Sequence, residues 1–74
     1  MVHKVKSFGV GDKIALPDEL GNVIWTGKVL SEGEDNFGEY RIVKVAWSRD
    51  QSEHGEVKKV RSEFFNMLEP FTWD

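Results

Sequence analysis

Short runs of β-branched and aromatic residues, each cut off by glycine, proline or a polar turn, recur along this 74-residue chain. The first is Lys13–Leu16, in which Ile14 and Leu16 share a face. The second is Val23–Leu30, the third Glu39–Ser48 and the fourth Glu56–Arg61, and Met67-Leu68-Glu69 closes the series. Alternation at a period of two, with turn residues at near-regular intervals, is the pattern of a small all-β sandwich or barrel. Val, Ile, Trp and Tyr dominate the apolar runs, and glycines fall between them, so helix is excluded over most of the length. No heptad, internal repeat or low-complexity segment is present.

The connections follow from residue chemistry. Gly9-Val10-Gly11-Asp12 is a turn, because glycine accepts positive φ and aspartate hydrogen-bonds its own backbone. Pro17 ends the first strand, having no N–H for a ladder. Asp18-Glu19-Leu20-Gly21-Asn22 is a loop turning at Gly21-Asn22. Ser31–Gly38, with Glu32, Glu34 and Asp35, reads as a hairpin loop longer than two residues, and Arg49–Gly55 as a second hydrophilic loop. Gly27 inside the second strand marks a bulge or tight bend. Val57 and Val60 are out of simple phase, which points to a bulge or twist in the fourth strand. Ser62-Glu63-Phe64-Phe65 reads as one helical turn capped by Ser62. Three units result: a lead-in over 1–10, a barrel over 11–70 and a tail over 71–74, with Phe71 and Trp73 able to fold back.

A chain this short buries only about 60% of the surface its unfolded form exposes. It has no cysteine and no Cys/His zinc spacing, so neither disulfide nor structural zinc can brace it. Three Trp, five Phe and one Tyr supply large apolar surfaces instead. Ile14, Leu16, Val29, Val43, Val45 and Leu68 are the expected core. Trp25 and Trp47 join them by phase, Trp47 through the alternation Val43, Val45, Trp47. The absence of cysteine fits a cytoplasmic protein. No apolar run is long enough to span a membrane, and the first ten residues lack the apolar stretch of a signal peptide. The formal net charge of −3 is wrong for a DNA-coating protein, whose affinity rests on lysine and arginine.

The stretch from Gly11 to Pro70 resembles the Tudor and KOW branch of the SH3-like small barrels. Gly11-Asp12-x-Ile14-Ala15, Trp25-Thr26-Gly27-Lys28-Val29, Val43-x-Val45-x-Trp47 and Leu68-Glu69-Pro70 carry the likeness. The resemblance implies a five-stranded all-β barrel with a helical turn before its last strand. It also implies three kinds of role: an aromatic cage for methylated lysine or arginine, contact with RNA polymerase, ribosomal RNA or protein partners, and service as a subunit of a larger enzyme. After Trp47 the chain has Ser48-Arg49-Asp50, where a eukaryotic Tudor domain has an aromatic-glycine turn, and this weighs against a cage.

Candidate functional residues group as follows. Trp25, Phe37, Tyr40 and Trp47 are the rings available for a cage or peptide groove, with Phe37 placed in a polar loop and so exposed. Lys28, Lys44, Lys58 and Arg61 are expected on one outward face of strands two to four. Ile42 and Ala46 flank Lys44 there, with Ile24, Thr26 and Lys28 beside them. His3 and His54 lie too far apart in sequence for a metal pair, and adjacent Asp18 and Glu19 do not form an acid–base dyad. No serine sits in a nucleophile elbow. The resulting expectation is a non-catalytic regulatory or accessory protein, without cofactor or metal. It holds a protein partner through Ile24, Lys28, Phe37, Tyr40, Ile42, Lys44 and Lys58, by resemblance in the transcription or translation machinery. The alternatives are an RNA- or DNA-binding barrel using the lysine face, a methyl-lysine or methyl-arginine reader, and an oligomeric enzyme subunit.

Overall fold

A computed structural model describes residues 8–71; His3, Trp73 and the other terminal positions read above lie outside the described residues. The chain forms one five-stranded antiparallel sheet in the order β4-β3-β2-β1-β5. The strands are β1 (Lys13–Pro17), β2 (Val23–Asp35), β3 (Gly38–Ser48), β4 (Val57–Arg61) and β5 (Glu69–Pro70). The all-β expectation is met. The sheet's hydrogen bonding is open, with β4 and β5 as its two edges, so ladder pairing does not close a barrel.

The inner face carries the core: Phe8, Ile14, Trp25, Val29, Val43, Val45, Val60, Phe65 and Leu68. Leu16, expected in this group, is half-buried against it. Burial of each such side chain contributes about 1.5–3 kcal/mol, and with no other brace this layer is what holds the sheet bent. Phe8 comes from the stretch read as a lead-in, yet it is a core residue. At the other end, the Phe71 N–H bonds to the Lys13 carbonyl at 2.9 Å, extending β5 by one residue.

Two irregularities in the β2–β3 ladder decide which side chains face out. Thr26 pairs with Trp47 and Gly27 with Val45, so Ala46 is an extra residue on β3. Val29 pairs with Val43 and Ser31 with Ile42, so Leu30 is an extra residue on β2. A bulge of this kind resets the in–out alternation beyond it. Trp47, expected in the core, is therefore 45% exposed, and Ser48 takes the buried position. β4 contains no bulge: its pairing with β3 is uninterrupted from Tyr40–Arg61 to Lys44–Val57, and Val57 simply faces outward.

The acidic segment read as a long loop is instead strand. β2 and β3 continue as a ribbon to Asp35 and Gly38, turning at Asn36-Phe37 with Gly38 at φ +112°. The Phe37 N–H bonds to Asp35 Oδ1 at 2.9 Å. The second hydrophilic loop contains a 3-10 turn, Gln51–Glu53, capped by Asp50, which accepts from the Ser52 N–H. The helical turn before the last strand is a 3-10 helix over Ser62–Met67. Ser62 is not its cap: the flanking residue is Arg61, with no side-chain capping bond.

Candidate partner-binding site

The outward face of the sheet is where most of the expected binding residues meet. Register places Lys13 opposite Lys28 and Lys28 opposite Lys44, with Val57 next in line on β4. All three lysines are exposed, and Lys28 and Lys44 are each flanked along their strands by buried neighbours pointing the other way. Directly opposed side chains on adjacent strands have Cβ atoms about 4.5–5.5 Å apart. Three ammonium groups are thus aligned across three strands, and neither Lys28 nor Lys44 has a carboxylate within ion-pair distance among the described residues. Lys13 was not singled out in the sequence, although its alternation with buried Ile14 placed it on this face.

The next rows complete the surface. Half-buried Ile42 stands between Ser31 and Lys59, and Tyr40 between Gly33 and Arg61. Tyr40 lies over Gly33, where an added Cβ would come within 2.5 Å of its ring. Lys59 Nζ sits 4.2 Å from the Tyr40 ring centre, and the Arg61 guanidinium 5.4 Å from that of Phe37. Asp35 accepts from Arg61 at 2.7 Å and from Lys59 at 3.3 Å. The bond from Arg61, then the Phe37 N–H, hold the Asp35 carboxyl far below the usual carboxylate range. Phe37 is 82% exposed, as its polar surroundings implied.

Two expected members lie elsewhere. Lys58 is not on this face. In β4, Val57, Lys59 and Arg61 face outward while Lys58 and Val60 face inward, and Lys58 is paired with Glu53 at 3.2 Å. Lys59 holds the outward place assigned to Lys58. Ile24 is the residue skipped where Leu16 pairs with Trp25 and Pro17 with Val23, and this irregularity turns it toward Leu16, Phe64 and Met67. Thr26 is on the outward face but buried. The four rings do not assemble into a cage. Trp25 is buried on the inner face near Leu16, Val60 and Phe64, whereas Trp47 is outside. Phe37 and Tyr40 already face the chain's own cations.

Beside the lysine row the outward face opens into a cleft of about 520 Å³ lined by Val23, Thr26, Ala46, Trp47 and Phe71. Its walls are almost wholly apolar, and it exists because the Ala46 bulge turns Trp47 outward.

Another polar network ties the loop after β3 to the sheet. The Ser48 hydroxyl donates to Glu53 Oε1 at 2.8 Å and accepts from the Asp50 N–H, and Lys58 binds the second Glu53 oxygen. The Ser48 bond, then Lys58, depress the Glu53 pKa. His54 donates from Nε2 to the Ser48 carbonyl, not to its hydroxyl, at 3.0 Å. These contacts fix the loop after β3 against the sheet. Among the described residues no group of His, Asp or Glu is arranged to hold a metal, and no helix is long and apolar enough to cross a membrane. Comparisons with protein-family models, with curated proteins and with solved structures found no match.

Proposed function

We propose that this chain is a non-catalytic binding module of the SH3-like type, which docks an acidic protein partner on the outward face of its sheet. Its role is that of a small accessory factor, and the resemblance in sequence suggests transcription or translation as the setting. The strand order and the 3-10 helix before β5 support that type.

The observation that carries the function is the pair Lys28 and Lys44, both exposed and directly opposed across β2 and β3. Like charges directly opposed across strands destabilise a sheet by about 0.2–1 kcal/mol per pair. A fold gains nothing from such an alignment alone. An acidic partner removes the repulsion on binding and is steered to the face by it.

Lys28 directly opposes Lys44, so Lys28→Glu converts that repulsive pair into an attractive one. The variant is expected to melt at the same or a higher temperature than the wild type, yet to lose the partner captured by the wild type from lysate and identified by mass spectrometry. Binding of labelled RNA or duplex DNA at physiological salt is expected to be no tighter than about 10 µM, near the ordinary non-specific range. Retention of the same partner by Lys28→Glu, or a submicromolar and steeply salt-dependent complex with nucleic acid, rejects the proposal.

A further inference from the structure

Among the described residues no strand pairs with the outer edge of β4, and on the reading just given that edge says how an acidic partner is held. We infer that the partner adds an extended segment to β4 as a sixth, antiparallel strand, with acidic side chains on the outward face alternating with apolar ones turned inward.

The register shows which backbone groups are on offer. The Val45 N–H bonds to the Glu56 carbonyl at 2.8 Å, and hydrogen-bonding direction alternates along an antiparallel strand. Lys58 and Val60 therefore bond to β3, opposite Val43 and Arg41. Val57, Lys59 and Arg61 turn their N–H and C=O groups to the open edge and their side chains to the outward face. A cavity of about 330 Å³ borders the same edge on the inner side, with Leu16, Trp25, Val60 and Phe64 among its walls and Lys58 and Lys59 at its margin. An added strand thus meets different surroundings at alternate positions. Its residues opposite Val57, Lys59 and Arg61 carry the backbone bonds and lie on the outward face. The residues between them point to the apolar cavity.

Charge selects the segment. Lys59, at the centre of the edge, and Arg61 share the single carboxylate of Asp35 in ion-pair contact. Lys44 lies one strand further in, across exposed Val57. Acids at three alternate positions of an added strand therefore stand beside Arg61, beside Lys59 and, over Val57, toward Lys44. A second copy of this edge is disfavoured, because an antiparallel pair centred on Lys59 sets Lys59 against Lys59. A lysine guards a strand edge against its own kind and admits a strand of opposite charge. The other edge, β5, has two residues, one of them proline, and offers no comparable ladder.

The test is fluorescence anisotropy with the full chain and a fluorescein-labelled peptide reading glutamate-leucine-glutamate-leucine-glutamate between glycines. Two further peptides carry one backbone N-methyl group each, on the central glutamate or on the leucine after it. In this register the central glutamate donates its N–H to the Lys59 carbonyl, whereas the leucine N–H points away from β4. Methylation of the glutamate is expected to weaken binding at least about tenfold and methylation of the leucine to leave it unchanged. Replacing all three glutamates by glutamine, or both leucines by serine, is expected to weaken it at least about tenfold as well. Lys59→Gln, which keeps the backbone donor, is expected to weaken the parent peptide about threefold with the fold intact. The peptide variants leave the protein untouched, so none of these losses can come from unfolding. Equal effects of the two methyl groups overturn strand addition and leave the acidic-face reading standing. So does a parent peptide that fails to bind at about 1 mM chain. Equal binding of the parent and glutamine peptides overturns both readings, as does displacement of the parent by an oligouridine strand at lower concentration than by unlabelled peptide. A dimer that appears in sedimentation at micromolar concentration and is dissolved by the peptide makes a second copy the occupant of the edge and overturns the inference.

Discussion

Among the described residues Arg41 is the charged side chain buried within the core layer, and it shows how much a single position can organise. It alternates in phase with Val43 and Val45 and is buried on the inner face. Its Nε donates to the Phe8 carbonyl, its Nη1 to the Tyr40 carbonyl at 3.1 Å, and its guanidinium lies 5.1 Å from the Phe65 ring centre. Glu39 is 3.7 Å away. It thus joins the segment before β1, strand β3 and the 3-10 helix. Arg41→Leu removes the donors and leaves the Phe8 carbonyl unpaired, so it is expected to lower stability by about 1–3 kcal/mol in urea unfolding. Arg41→Lys, lacking the planar fork, should recover only part of that. A loss within the measurement error for Arg41→Leu rejects this role. The apolar core was legible in the sequence because Ile14, Val29, Val43, Val45 and Leu68 are aliphatic residues in strand-like runs. Arg41 obeyed the same alternation, but its charge argued for the surface. Phe8 stood outside any strand pattern, and only tertiary packing recruits it.

Between elements, the least legible features were the register shifts. Nothing in the spelling of Val45-Ala46-Trp47 announces an extra residue, because the bulge depends on the facing strand. Gly27 was the visible half of that signal. A Cβ there would meet Val43 Cγ1 at 2.6 Å and the Lys44 carbonyl oxygen at 2.7 Å, and the latter is backbone that cannot swing aside. At Gly33 the obstacle is the Tyr40 ring, whose side chain can rotate. Gly27→Ala is therefore expected to cost about 1–3 kcal/mol and Gly33→Ala distinctly less, as read from urea midpoints. Equal costs at the two positions reject the account. The ribbon from Ser31 to Gly38 escaped reading because it extends past the core and has no apolar face to betray a strand. Cross-strand contacts hold it instead, chiefly Tyr40 over Gly33 and Asp35 with Arg61 and Lys59. The expected basic face was legible in part. Lys28, Ile42 and Lys44 meet as alternation predicts, whereas Lys58, expected beside them, is paired opposite Val43 and so turns to the inner face.

At the scale of the whole molecule, charge is sorted by side. Lysines cross the outward face, while Glu32 and Glu34 of the ribbon pair with Arg41 and Glu39 on the other. Acidic groups also anchor the loops. Asp18 is lowered by Arg49, Asp35 by Arg61, Asp50 by the Ser52 hydroxyl and Glu53 by Ser48. Each folded pKa lies below its ordinary value of 3.8, or 4.5 for Glu53, so each contribution is complete above those values and fades as pH falls through the folded ones. Stability is expected to hold from neutral pH to about 5 and to decline below it. Asp35→Asn should be less stable than the wild type at neutral pH, with the gap narrowing as acid is added. A gap independent of pH, measured by urea midpoints across the range, rejects the assignment. The placement of the tryptophans also has an optical consequence. Trp25 is shielded in the core and emits toward the blue until the chain unfolds, whereas Trp47, turned out by one extra residue in β3, is open to collisional quenchers. With Trp73 replaced by phenylalanine, the emission spectrum of the native protein carries a core reporter and a surface reporter at once, and quenching by acrylamide resolves the one from the other.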